Sequence, residues 1–450
     1  MFHTYNPFTD QIIATYPSSS DEIVAQSINQ SALALVDWKN SPLSTRIQYI
    51  QHVAHLLAAS SSLAHSISIE TGKRIQEAQA EVDKCILSIH QLCELAPEAL
   101  SSKKHLHPLP YIQSYEPMGV ILGILPWNFP IWQSVRFAVP ALLAGNTVLI
   151  KPAPSVAASS LALQDLFTRC LPHHIVQTVF AETTQIPTLL SHPSIRGMSF
   201  TGSNRTGAVL AAQAGAALKP IVLELGSNDP IVLHSDYPWQ DAFHTLLHAR
   251  LQNNGQSCIA AKRFFVHETI LTSFLEKLYD ALEHLVFGDP TNPSTTVTTL
   301  VHPQAVDALQ LQVQHAIDYG ATTVYQYPTP ADAPRAFFPP TVLVGSMDNP
   351  VLHQEELFGP VFSIIPYKTI ESAISCINSS PYGLGAAIFT NDPEVWSKAQ
   401  TQIQSATIVQ NTIVSSDARI PMGSVKQSGI GYELGKEGLL SFTRIKIIRY

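Results

Sequence analysis

Gly119-Val120-Ile121-Leu122-Gly123-Ile124-Leu125-Pro126-Trp127-Asn128-Phe129-Pro130 marks a change of texture in the chain. Its first half is an apolar run of strand length, and proline and asparagine follow at once, the composition of a strand that stops in a turn. Similar short runs recur at Thr147-Val148-Leu149-Ile150 and within 175–180, 197–200 and 221–225, with helix-like stretches at 155–169 and 206–217 between them. Strand and helix in alternation predict an α/β fold, a parallel sheet with helices on both faces.

Upstream, residues 19–100 read as packing helices. Ser20 and Asp21 suit an N-cap, and Ile23, Val24, Ile28 and Leu33, then Ile47, Ile50, Ala54 and Leu57, recur at helical spacing. Ser60-Ser61-Ser62 falls inside the second pattern and reads as an exposed helix face. A second α/β alternation follows Cys258, with strands at 263–266, 362–365 and 386–389 and helices around 270–285 and 303–319. Residues 327–340, with Pro328, Pro330, Pro334, Pro339 and Pro340, form a turn-rich surface connection.

A chain of 450 residues is long for one core, and roughly 100–200 residues per domain suggests two or three. A net charge of −8 without any run of Lys or Arg argues against nucleic acid or an anionic membrane as partner. A small molecule is the expected partner. The five cysteines are scattered, with no CxxC or Cys/His ligand spacing, which predicts reduced thiols, a cytoplasmic setting and no metal. Met1-Phe2-His3-Thr4-Tyr5-Asn6-Pro7 lacks the basic and apolar regions of a signal peptide. Residues 117–135 carry no charge, yet Pro126, Asn128, Pro130 and Gln133 inside the stretch, and Arg136 just beyond it, argue against a membrane helix.

Two side chains invite chemistry. Cys258 follows Asn254-Gly255-Gln256-Ser257, polar turn residues that leave a thiol accessible; a reactive thiol needs exposure and a lowered pKa. The other four cysteines lie in helix-like stretches and read as small buried residues. Glu224 closes the apolar run Ile221-Val222-Leu223, where apolar neighbours raise a carboxylate's pKa and suit it to act as base near neutrality. A thiol nucleophile and a carboxylate base together suit a reaction that makes and then hydrolyses a thioester. Asn128, in a rigid aromatic and proline-flanked turn, can aim an amide N–H at a developing oxyanion, a contribution of about 3–4 kcal/mol. Thr201-Gly202-Ser203-Asn204-Arg205-Thr206-Gly207 leads into a helix whose first N–H groups can hold a pyrophosphate, although the glycine spacing is not the dinucleotide fingerprint. Lys151 closes its strand where it can reach a ribose or phosphate.

Together these motifs resemble the aldehyde dehydrogenase superfamily from about residue 6 to 446, joined by Glu355-Glu356-Leu357-Phe358-Gly359-Pro360-Val361, Tyr382-Gly383-Leu384, Phe389-Thr390 and Lys426-Gln427-Ser428-Gly429-Ile430-Gly431. The resemblance implies two Rossmann-type parallel-sheet domains and a small β module. Residues 1–101 and 116–226 would form the NAD(P)-binding domain, 227–428 the catalytic domain, and 102–115 with 441–450 the oligomerisation strands of a homodimer or homotetramer. The apolar Ile445-Lys446-Ile447-Ile448 would be an exposed edge in a monomer. By the same resemblance Cys258 attacks an aldehyde, Asn128 and the Cys258 N–H hold the oxyanion, hydride passes to NAD or NADP, and Glu224 activates the water that cleaves the thioester. Pro126, Trp127, Lys151, Pro154, Ser155, Gly202, Ser203, Glu356 and Phe358 would contact the cofactor.

Asn128-Phe129-Pro130-Ile131-Trp132-Gln133-Ser134-Val135-Arg136, Lys151-Pro152-Ala153-Pro154-Ser155, Cys258-Ile259-Ala260-Ala261-Lys262-Arg263-Phe264 and Ser416-Asp417-Ala418-Arg419 are most similar to the short bacterial succinate-semialdehyde dehydrogenases. That likeness implies Arg136 as receptor of the substrate carboxylate, a job suited to a planar cation, unless it serves in an ion pair on its own helix. Ser416 is a second candidate, and Arg250 either assists or is structural. The chain departs from the family where Pro154 replaces a glutamate that repels a 2′-phosphate, where Phe137 replaces a lysine, and at Ser227, Met422, Ser424 and Tyr432. Glutarate semialdehyde or an aliphatic aldehyde is the competing substrate, and a non-catalytic dinucleotide-binding or structural protein is the reading from another class.

Overall fold

The computed structural model describes residues 1–106 and 108–449. His107 and Tyr450, which fall in the two segments expected to form oligomerisation strands, lie outside the described residues. Two parallel-type sheets dominate. The first has six strands in the order Gly429–Ile430, Ile221–Glu224, Ile195–Thr201, Val120–Ile124, Thr147–Lys151 and Val176–Thr178. All its pairs are parallel except that the short Gly429–Ile430 strand runs antiparallel to Ile221–Glu224.

Alternate residues of these strands feed two separate cores, which is why 148–150 and 221–223 are apolar without interruption. Ile121, Val148, Ile150 and Val222 pack toward the helices Leu43–Ala58, Ile75–Ala99 and Pro130–Leu143. Leu122, Leu149 and Leu223 face the other way, toward Val24 and Ile28 of the Asp21–Asn40 helix and Leu210 of Asn204–Ala216. Every residue of Pro130–Leu143 is buried. The uncharged 117–135 stretch is therefore apolar because protein surrounds it, and no helix among the described residues is long and apolar enough to cross a membrane.

The second sheet has seven strands in the order Thr322–Gln326, Thr341–Val344, Val361–Tyr367, Arg263–His267, Pro230–Leu233, Gly385–Phe389 and Thr407–Gln410, parallel apart from the first pair. A three-stranded antiparallel sheet joins Thr443–Arg449 to Tyr111–Pro117 and Lys103–His105. Ile445, Ile447 and Ile448 on its edge strand are exposed.

Local structure follows the sequence signals in most places. Ser20 caps the Asp21–Asn40 helix by accepting the Ile23 N–H at 3.3 Å. Ser60-Ser61-Ser62 differs from expectation: the helix ends at Ala58 and the next begins at Leu63, so the serines form the turn between them, as side chains that compete for backbone hydrogen bonds favour. A hairpin of Phe2–Asn6 and Gln11–Tyr16 precedes the helices.

Candidate active site

The residues expected to bind and react gather where strands of the first sheet end. Pro126, Trp127 and Asn128 follow Val120–Ile124, Lys151 closes Thr147–Lys151, Gly202 and Ser203 follow Ile195–Thr201, and Glu224 closes Ile221–Glu224. Ligands of open α/β sheets bind at this carboxyl end. Trp127 meets Phe358 edge to face at 6.1 Å, and Pro154 and Ser155 share a surface hollow with Trp127 and His302.

Cys258 leaves a sharp turn. Asn253, Asn254 and Gly255 all have positive φ, 51°, 51° and 77°, a region that glycine and asparagine tolerate best. Buried amides fix the turn: Asn254 Nδ2 donates to Thr298 Oγ1 at 2.6 Å and to the Thr299 carbonyl at 2.9 Å, and Asn253 Nδ2 donates to the Asn128 carbonyl at 3.0 Å. Asn128 Nδ2 in return donates to the Gln256 carbonyl at 3.1 Å, while its Oδ1 is buried without a partner. The Asn-Gly-Gln context is thus a buried scaffold rather than a polar surface loop.

Beyond the turn, Cys258 opens onto a cavity of about 180 Å³. The helix Ile75–Ala99 contributes Glu77, Glu81 and Lys84 to its wall; Trp132, Gln133 and Arg136 come from Pro130–Leu143, and Ser416 and Met422 lie opposite in the chain. Glu77, Glu81 and Lys84 are spaced four and three apart, which puts them on one helix face. Asn128 and Glu224 are not on this wall.

Burial governs the site's electrostatics. Cys258 shows part of its surface to the cavity but is otherwise enclosed, and desolvation pushes its thiol up to about 11 against the pull of Arg136 and Lys262; Glu224 and Glu356 push it further. The sequence expectation of a lowered thiol pKa is therefore not met, because desolvation outweighs the two cations. Glu224 is buried with neither oxygen hydrogen-bonded. Desolvation raises its pKa, with Arg136 opposing and Glu433 reinforcing, as expected for a carboxyl among apolar residues. Lys262 Nζ, itself buried, donates to the Ser257 carbonyl at 2.9 Å and to that of Cys258, and pairs with Glu356 at 3.1 Å.

Of the expected substrate residues, Arg136 and Ser416 reach the cavity and Arg250 does not. Arg250 is wholly buried, and its guanidinium donates to the backbone carbonyls of Ala261, Leu357 and Gly359. It ties the Cys258 and Glu356 segments together, and the neighbour that does reach the wall is Gln252. Arg136 faces a carboxylate within the protein, Glu433, an ion pair whose closest atoms are not aligned as a hydrogen bond. The partner belongs to a distant segment rather than to its own helix. Lys84 was not singled out by the sequence, although a lysine in phase with two glutamates on an otherwise apolar helix face was a readable signal.

A half-enclosed thiol over a cavity that holds Lys84 and Arg136 beside Glu77 and Glu81, with an unpaired carboxylate at the end of a parallel strand nearby, suits an enzyme that works on a small molecule by nucleophilic chemistry. The chain belongs to the aldehyde dehydrogenase family, whose model matches residues 1–448. It is 36% identical to the succinate-semialdehyde dehydrogenase [NADP(+)] of Deinococcus radiodurans, over all of this chain and 94% of that protein. It is 35% identical to the probable succinate-semialdehyde dehydrogenase [NADP(+)] of a Synechocystis strain, over 99% of this chain and 98% of that one. Among solved structures, succinic semialdehyde dehydrogenase from Streptococcus pyogenes in complex with NADP+ superposes with a TM-score of 0.96 at 30% identity, covering 100% of both chains.

Proposed function

We propose that this enzyme oxidises succinate semialdehyde to succinate with NADP, through a thioester on Cys258. The observation that carries the reading is the position of Cys258 on the wall of a cavity lined by Lys84 and Arg136, with Glu224 close enough to perturb the thiol. Succinate semialdehyde presents an aldehyde at one end and an anion at the other, and this cavity offers a nucleophile and cations to match. A purely structural role leaves Glu224 unexplained, since a buried carboxylate with both oxygens unpartnered costs stability.

In this reading Cys258 Sγ passes its proton to water in the cavity and adds to the aldehyde carbon as the thiolate, which the positive field of Arg136 and Lys262 favours. The free N–H of the Asn128 amide and the Cys258 backbone N–H meet the developing oxyanion. NADP, when bound, would supply the hydride acceptor for this oxidation. Glu224 in its carboxylate form then takes a proton from water, which cleaves the thioester. Lys151, Ser155, Gly202, Ser203, Glu356 and the pair Trp127 and Phe358 would hold the cofactor. The hollow shared by Pro154 and Ser155 is lined by no carboxylate among the described residues, and Glu182, whose charge reaches Lys151, is paired with the N-terminal ammonium, which favours acceptance of a 2′-phosphate.

Residues 1–101 and 116–226 serve as the cofactor unit, 227–428 as the catalytic unit, and 102–115 with 441–450 as oligomerisation strands in a cytoplasmic homodimer or homotetramer. The exposed isoleucines of Thr443–Arg449 support that last assignment. Initial rates with succinate semialdehyde, glutarate semialdehyde and butanal, each with NADP and NAD, test the reading. Preference for succinate semialdehyde with NADP is expected; a preference for butanal overturns the substrate assignment.

A further inference from the structure

The charged groups on the cavity wall are matched within the protein, with one exception. Glu77 pairs with Arg74 at 2.9 Å and accepts the Asn253 N–H. Glu81 pairs with Lys73 at 2.5 Å, and Arg136 faces Glu433. Lys84 has no carboxylate partner among the described residues. Its ammonium donates to Ser416 Oγ at 2.5 Å and lies 4.6 Å from the centre of the Trp132 ring. Asp417, next to that serine, is held by Arg419 at 2.6 Å.

We infer that Lys84 is the residue that selects the carboxylated aldehyde, its ammonium receiving the substrate carboxylate while Ser416 fixes its direction and the aldehyde end lies at Cys258. The inference rests on the dehydrogenase reading above and gives its specificity a particular cation. Arg136 is the poorer receptor. Its guanidinium already faces Glu433 and touches Met422 Sδ and Thr201 Oγ1, so a second anion there would meet the charge of Glu433. Lys84, by contrast, is ion-paired with no carboxylate among the described residues: burial and the neighbouring Arg136 push it down to about 8, against the smaller pull of Glu81. A carboxylate entering the cavity relieves both penalties, and an aromatic face beneath the ammonium keeps it oriented without neutralising it.

The test uses the full-length enzyme with NADP, comparing succinate semialdehyde with butanal, a neutral aldehyde of the same chain length, on wild type, Lys84→Met and Lys84→Arg. Truncating one partner of a hydrogen-bonded charge pair predicts that Lys84→Met loses about 30-fold or more in kcat/KM for succinate semialdehyde, mainly through KM. Butanal turnover stays within about twofold or improves, and Lys84→Arg keeps most of the preference for the acid. Retained preference in Lys84→Met, or equal losses for both aldehydes in the two variants, overturns the role of Lys84 while leaving the dehydrogenase reading intact. A wild type that shows no preference for succinate semialdehyde overturns both.

Discussion

Glu81 holds the start of the helix that follows Asn128, and glutamine in its place measures that hold. Lys73 and Glu81 pair at 2.5 Å with side chains 0% and 1% exposed. The second Glu81 oxygen accepts the N–H groups of Ile131 at 2.9 Å and Trp132 at 3.0 Å, in the first turn of Pro130–Leu143, where a negative charge also complements the helix dipole. Glutamine can still offer a carbonyl to those N–H groups, but it leaves the Lys73 ammonium buried without a counter-charge. Removing one member of a buried pair costs about 3–5 kcal/mol. For 450 residues, an unfolding entropy of about 2.1 cal/mol/K per residue corresponds to roughly 0.9 kcal/mol per degree, so the melting temperature of Glu81→Gln should fall by about 3–5 °C. Lys73→Met combined with Glu81→Gln removes the stranded charge and should recover most of that loss. Thermal melts followed by circular dichroism, at one protein concentration and scan rate, read all three proteins. A single variant that melts with wild type, or a double variant that melts below the single, refutes the assignment of the stability to this ion pair.

Glu224→Gln should leave the first-turnover burst of NADPH and slow steady-state turnover by about 10²–10⁴-fold, because thioester hydrolysis needs the base and thioester formation does not. In wild type the base works as the carboxylate, and its pKa is raised to about 8, so kcat should climb with pH through that value and then level off; a flat profile between pH 6 and 9 contradicts the role. Pro154→Glu should lower kcat/KM for NADP by at least about tenfold while changing that for NAD little, since it returns a negative charge opposite the 2′-phosphate. Gly255→Ala should cost activity and stability together: φ is +77° and the added Cβ would fall against the Gly359 carbonyl, so thermal melting and turnover should both drop relative to a control alanine at Gly215, which has open space.

Much of the first sheet was legible because the strands 120–124, 147–151 and 221–224 are almost wholly apolar and run into proline, a charged residue or glycine. The same signal failed for Pro230-Ile231-Val232-Leu233, a central strand of the second sheet. It has only four residues and opens with proline, and its place depends on parallel partners distant in sequence. At the candidate site, local context draws attention to Cys258, Glu224 and Asn128, and the structure sets Cys258 on the cavity wall. Arg250 was not separable from a substrate ligand by sequence, because its role is set by the carbonyls of Leu357 and Gly359, more than a hundred residues away. Lys84 was overlooked for the converse reason. Its phase with Glu77 and Glu81 marks a helix face but no role, and what distinguishes it is the carboxylate partner that none of the described residues supplies.

The strand that carries Glu224 is completed from the far end of the chain. Gly429 pairs with Glu224, and the Ser428 hydroxyl donates to the Gly226 carbonyl, 202 positions earlier. On a ribosome adding roughly 5–20 residues per second, that gap corresponds to about 10–40 s during which this edge of the nascent sheet has no partner. The first half of the protein must therefore emerge with an unclosed border beside Glu224, and the site can take its final form only once residues 428–430 have been made.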